Sequence, residues 1–207
     1  NLDPDGYYRD LNNYTIETYS HIYMGSQGRD AGLIYSRRLD DYSFLYPKFA
    51  TNYHYYSRYK GGKEANKDGP IDRTLIDRKY LDYADPYDRE MNNSYLQGVV
   101  RFDQIDNKLN PNGPTALFIR DSYSSPVATF LSPMFSRIEL LWSLHFSPTG
   151  DGSIQKMLEK KHFDYVFVAL ALDNFTNEGT PFYTDDPKAA ENGDADVAAQ
   201  GQDPAAH

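Results

Sequence analysis

The stretch TALFIRDSYSSPVATFLSPMFSRIELLW, Thr115 to Trp142, decides how this chain folds. Its apolar run Ala116-Leu117-Phe118-Ile119 is strand-sized and ends on the polar triplet Arg120-Asp121-Ser122. Proline is tolerated in the first turn of a helix and breaks its interior, so Pro126 marks where a helix opens and Pro133 where it closes. Ile138 to Trp142 then resumes an extended apolar run. The pattern predicts strand, sharp turn, helix, strand, with Ser122 at the turn. A serine there projects its hydroxyl from the carboxyl edge of a sheet, beside the free amides of a helix N-terminus. Those amides stabilise an oxyanion, so the position suits a nucleophile. The plainer alternative is a loop serine ahead of a helix capped by Ser124 or Ser125.

Downstream, Ile154, Met157 and Leu158 share one face of a short helix ending near Lys161, and DYVFVALAL (164–172) reads as a strongly buried strand. Strand, helix, strand, helix, strand is the order of a parallel sheet covered on both faces. Upstream, Tyr42, Phe44 and Tyr46 alternate, as do Tyr53, Tyr55 and Ser57, which predicts two strands around Pro47. The first 25 residues fit neither period. Residues 60–93, rich in Lys, Gly, Asp and Arg, are expected to form a surface excursion. One domain is expected over 1–176, and a disordered acidic tail over 177–207.

The 207 residues suffice for one substantial domain. Nineteen tyrosines suit half-buried sheets, though Tyr53, Tyr55, Tyr56 and Tyr59 also allow a sugar-stacking platform. The net charge is −9, yet from Asp185 onward six acids face a single base, leaving the body only mildly acidic. With no basic patch, nucleic acid is not the expected partner. Cysteine is absent, which removes thiol nucleophiles, disulfides and cysteine zinc sites, and fits an oxidising envelope compartment. Asp82, Asp85 and Asp88 recur at three-residue spacing, but Pro86 and Arg89 make an acidic turn the better reading than a calcium loop. No metal or cofactor is expected. The apolar runs are too short to span a bilayer.

Three blocks, GRDAGLIY…DDYSFLYPKFATNY, SYLQGVVRFDQIDN and TALFIRDSYSSPVATFLSPMFSRIELL, resemble in order those of bacterial DHHW-type proteins. These are relatives of the SGNH-like, AlgX/AlgJ-like polysaccharide O-acetyltransferases, and the resemblance runs from about Gly25 to Phe175. It implies an α/β fold, an SGNH-like (flavodoxin-like) three-layer sandwich with a parallel sheet, incomplete at the N-terminal side. It also implies an extracytoplasmic protein, secreted or in the cell envelope. The RDSY block places the family's serine on Ser122, which would accept an acetyl group and pass it to a sugar hydroxyl or to water. A histidine oriented by an aspartate would be the general base, and the amides of Ser122 and its neighbours would hold the oxyanion.

Asp121 is read as fixing the turn through backbone amides. Arg120, Tyr123 and His145 are the expected substrate-binding residues, with neutralisation of Asp121 as the other reading of Arg120. The family's Asp-His-His-Trp block, source of the base and its orienter, is not among these residues, and His21, His54, His162 and His207 do not replace it. Relatives also tend to carry an acid and then a base where this chain has Trp142 and Leu144. The expected function is serine-dependent acyl transfer or ester hydrolysis on an envelope polysaccharide or exopolysaccharide. An upstream segment would supply the base, and a membrane acyl-donor protein is the expected partner. The alternative is a non-catalytic glycan-binding or interaction module of an acetylation system.

Overall fold

The computed structural model describes residues 2–25, 28, 38–59, 63–82, 91–98, 100–142 and 154–171. Strands β1 (Tyr14–Tyr23) and β2 (Asp40–Pro47) pair antiparallel as a two-stranded sheet. The main sheet contains β3 (Tyr53–Arg58), β4 (Glu64–Gly69), β5 (Phe102–Asn107), β6 (Thr115–Arg120), β7 (Arg137–Trp142) and β8 (Tyr165–Ala169). Its order is β4-β3-β5-β7-β6-β8. Among the described residues the α-helices are the single turn α1 (Ile71–Thr74), then α2 (Ser124–Leu131) and α3 (Ile154–Lys160). The architecture is mixed α/β. The expected parallel order holds where it was read, since β6 lies parallel to both β7 and β8. The other half is antiparallel, because β5 runs against β7 and β3 lies between β4 and β5 in the same sense.

Strands β6 and β7 are buried on both faces, which is why they read as continuous apolar runs rather than alternating ones. Ala116, Phe118, Ile138 and Leu140 point into the larger cluster with Tyr53, Ile105 and Ala128. Leu117, Ile119 and Leu141 face the opposite way, against Phe102, Ile154 and Met157. Phe118 is stacked on Phe167 of β8 with ring centroids 4.5 Å apart.

Several expectations change. The segment 164–172 was expected to be deeply buried. Among the described residues β8 is instead an edge strand, with Val166 and Val168 nearly half exposed. Residues 60–93 were expected to form a surface excursion. They supply β4 and, through Ile71, Leu75, Ile76, Leu81 and Met91, part of the core. Their charged residues alternate with apolar ones over single helical turns, too short for a period to show in the sequence. The tyrosine platform does not form at Tyr53 and Tyr55, which are buried. The Tyr53 hydroxyl accepts from Ser132 at 3.0 Å. The alternation core-in, surface-out is the reading that holds there. Asp85, Asp88 and the tail 177–207 lie outside the described residues. No helix among the described residues is long and apolar enough to cross a membrane.

Replacing Phe118 with Ala should cost roughly 3–5 kcal/mol, because the cavity left at a fully buried ring cannot collapse against a sheet packed on both sides. Urea denaturation of the variant would measure it. A loss below about 1 kcal/mol would contradict the packing described.

Candidate active site

Ser122 lies just beyond the carboxyl end of β6, in the turn that leads into α2. The residues on either side of it are drawn inward. Arg120, Asp121, Ser124 and Ser125 are all buried, whereas Ser122 is exposed and Tyr123 is half exposed. The turn therefore presents two side chains to solvent and anchors the four that flank them.

Asp121 fixes the turn through backbone amides. One carboxylate oxygen accepts from the Tyr123 amide at 3.0 Å, and the other from the Ala171 amide. The Asp121 amide donates to the Ala169 carbonyl at 3.4 Å, and the Ser124 hydroxyl donates to the same carbonyl at 2.9 Å. These bonds tie the turn to the end of β8. Ser124 and Ser125, expected as caps, do not cap the helix. Tyr123 holds the cap position with a helical backbone and no side-chain bond, and both serine hydroxyls are used inside the fold.

The expected oxyanion donors need a related correction. The Tyr123 amide serves Asp121, the Ser124 amide donates to the Asp121 carbonyl at 3.4 Å, and the Ser125 amide donates to the Ser122 carbonyl at 3.3 Å. The Ser122 amide is the one in this turn left without a partner among the described residues.

Arg120, expected to bind substrate, has no accessible surface. Its guanidinium forms an ion pair with the fully buried Asp103 of β5, where the alternative reading had it neutralise Asp121. A second nitrogen donates to the Ser125 hydroxyl at 3.0 Å and to the Asp121 carbonyl at 3.4 Å. The Tyr55 hydroxyl completes the cluster at 2.5 Å from the second Asp103 oxygen, and also approaches the Leu96 carbonyl at 3.1 Å. Burial pushes the Asp103 carboxyl up to about 6, against the opposing pull of Arg120 and the Tyr55 hydroxyl. Burial likewise raises the Tyr55 phenol well above its ordinary value, with the Asp103 charge adding to it. The sequence reading missed Asp103, and offered Tyr55 as a strand residue or part of a sugar-stacking platform. The available signal was a carboxylate sharing the inward face of β5 with Ile105, where an apolar residue is the rule.

Tyr123 stands beside Ser122 at the surface, while His145 lies outside the described residues. The three described histidines are engaged elsewhere. His54 contacts Asp68 at 3.2 Å and His162 lies 4.0 Å from Asp164. Register places both at the opposite end of the sheet from Ser122, since His54 aligns through Asp106 and Arg137 with Thr115, and Asp164 bonds Thr115. His21 contacts Asp41 on the two-stranded sheet at 3.4 Å. No cluster of three metal-ligating side chains occurs among the described residues.

Solved structures share this arrangement of elements. The structure of Bacillus cereus PatB1 with a sulfonyl adduct superposes with a TM-score of 0.60 at 12% identity, covering 86% of this chain and 55% of that one. A second PatB1 structure gives 0.56 at 13% identity, over 82% and 52%. A DHHW family protein from Eubacterium siraeum gives 0.51 at 14% identity, over 78% and 48%. The chain has the fold of a DHHW family protein. It spans about half the length of each of these structures. No family model and no curated protein matches the sequence.

Two outcomes follow for the ion pair. Arg120→Met strands the Asp103 charge in the interior and should cost about 3–5 kcal/mol, read by urea denaturation. Asp103 also shapes the pH dependence. Its folded value of about 6 lies above the ordinary value near 4, so between those limits the folded state holds the proton more firmly and this group's contribution to stability falls as pH rises. Asp103→Asn should remove that falling component, seen by comparing denaturation midpoints of the two proteins from pH 4 to 7. Parallel curves would show that Asp103 does not titrate there.

Proposed function

We propose that this chain is the serine-bearing portion of an SGNH-like, three-layer acyltransferase or esterase that acts on an envelope polysaccharide or exopolysaccharide. The observation that carries this reading is the exposure of Ser122, beside Tyr123, on a turn whose flanking residues Arg120, Asp121, Ser124 and Ser125 are buried, at the carboxyl edge of a parallel strand flanked on both sides. Reactive groups in open α/β sheets gather at that edge. The shared fold supports the reading, and PatB1 carries a sulfonyl adduct, which directs the choice of probe for this chain.

In the first half-reaction the Ser122 oxygen attacks the acyl carbon of a donor ester and its proton passes to a general base. The donor carbon–oxygen bond breaks, and the departing alcohol takes the proton back. In the second, a sugar hydroxyl or water gives its proton to the base and attacks the acyl-serine. The Ser122 oxygen leaves and is reprotonated. The Ser122 amide would donate to the oxyanion in both steps. Tyr123, half exposed next to Ser122, would border the acceptor, with His145 as a further candidate. Because the chain covers about half of its structural neighbours, an Asp-x-His segment upstream is proposed as the source of the base and its orienter. A membrane acyl-donor protein and an extracytoplasmic site of action belong to the same proposal.

Ser122→Ala in the full native protein should abolish acetyl-ester hydrolysis and acetyl transfer while leaving the circular dichroism spectrum and thermal midpoint unchanged, since an exposed hydroxyl is removed. Labelling with a sulfonyl fluoride, followed by intact mass, should disappear in the same variant. Activity retained in Ser122→Ala would refute the nucleophile assignment.

A further inference from the structure

We propose that Asp103 and Arg120 are positioning residues for Ser122, holding its turn from beneath through a clamp that reaches across from β5; this rests on Ser122 being the nucleophile. The guanidinium is a fixed fork, and here its prongs serve different elements. One prong is held by Asp103, at the end of β5 that lies toward Ser122. The other bonds the Asp121 carbonyl and the Ser125 hydroxyl, one on each side of Ser122. The β8 end grips the same turn from its other flank through Asp121 and Ser124. Between these two grips the backbone at Ser122 has little freedom left, although the side chain itself bonds nothing among the described residues.

Stability alone does not account for the arrangement. A buried ion pair is commonly no more stable than well-packed apolar residues of the same volume. This one also leaves the Arg120 Nε without a partner among the described residues, together with the hydroxyl of Ser57, which sits opposite Asp103 on β3. Buried polar atoms left unmade are a net cost to folding. Tyr55 adds a further constraint, bonding Asp103 while approaching the carbonyl of Leu96, a buried non-glycine residue held at φ 55°. Strained backbone and unmatched donors tolerated around one ion pair are the marks of a geometry kept for what it positions.

The test combines hydrogen exchange with kinetics on the full native protein. In Asp103→Asn, and in Ser125→Ala, which removes one of the two bonds of the second prong without touching the ion pair, the amides of 121 and 123–125 should exchange about tenfold faster while those of β3 keep their protection. With p-nitrophenyl acetate as probe, kcat should fall roughly 10- to 100-fold at unchanged KM, the loss expected when a nucleophile is displaced by a fraction of an ångström to one ångström. Wild-type exchange and wild-type kcat in both variants would overturn the proposal. So would a uniform rise in exchange across β3, β5 and the turn, which would reduce the pair to a structural element. Activity surviving in Ser122→Ala would instead remove the nucleophile reading, while the exchange of 121 and 123–125 would still report whether the clamp orders the turn.

Discussion

The ion pair between Asp103 and Arg120 joins the two halves of this sheet and the turn that carries Ser122 in a single contact. Asp103 belongs to the antiparallel half and Arg120 ends the central parallel strand, with β7 between them. Neither charge is tenable in the interior alone, so each requires the other in place. The requirement fixes how far β6 extends before the chain turns, and hence where Ser122 emerges. The short bond from Tyr55 extends the same constraint to β3.

Around that contact the packing divides by face. The larger cluster combines the inward residues of β3, β5, β6 and β7 with the two-stranded sheet, α2 and the short turns between residues 71 and 96. The smaller cluster is covered by α3. A parallel pair needs cover on both faces, and β6 and β7 receive it, whereas β8 at the edge leaves valines in view among the described residues. Thr115 and Asp164 pin the entry of β6 to β8 at the far end, where bonds from the Thr115 amide and hydroxyl hold the Asp164 carboxyl below its ordinary range. The strand carrying the serine is thus tied to β8 at its start and to β5 and β8 at its finish.

A good part of this was legible in the residues. The apolar runs at 116–119 and 138–142, punctuated by Pro126 and Pro133, specified two buried strands and the helix between them, because strand length and proline sterics are local properties. The alternation at Tyr42–Tyr46 and Tyr53–Ser57 specified strands and their inward faces for the same reason. Asp121 as the fixer of its own turn was also readable, since an aspartate bonding amides two residues on is a local habit.

What the tertiary structure alone decided is everything that depends on partners distant in sequence. Nothing near Arg120 in the chain announces that its charge will be cancelled from 17 residues away, so a buried clamp was read as a substrate contact. Nothing in DYVFVALAL distinguishes an edge strand from a central one, because neighbours in the sheet and not the strand's own composition set its burial. The residues of 60–93 looked solvated because their apolar members are spaced by single turns, and only the sheet they cover reveals that Leu75 and Met91 are core. Local sterics and periodicity write strands, turns and helix ends into the sequence. Charge pairing and burial are long-range balances of desolvation, and they exist only once the chain has closed on itself.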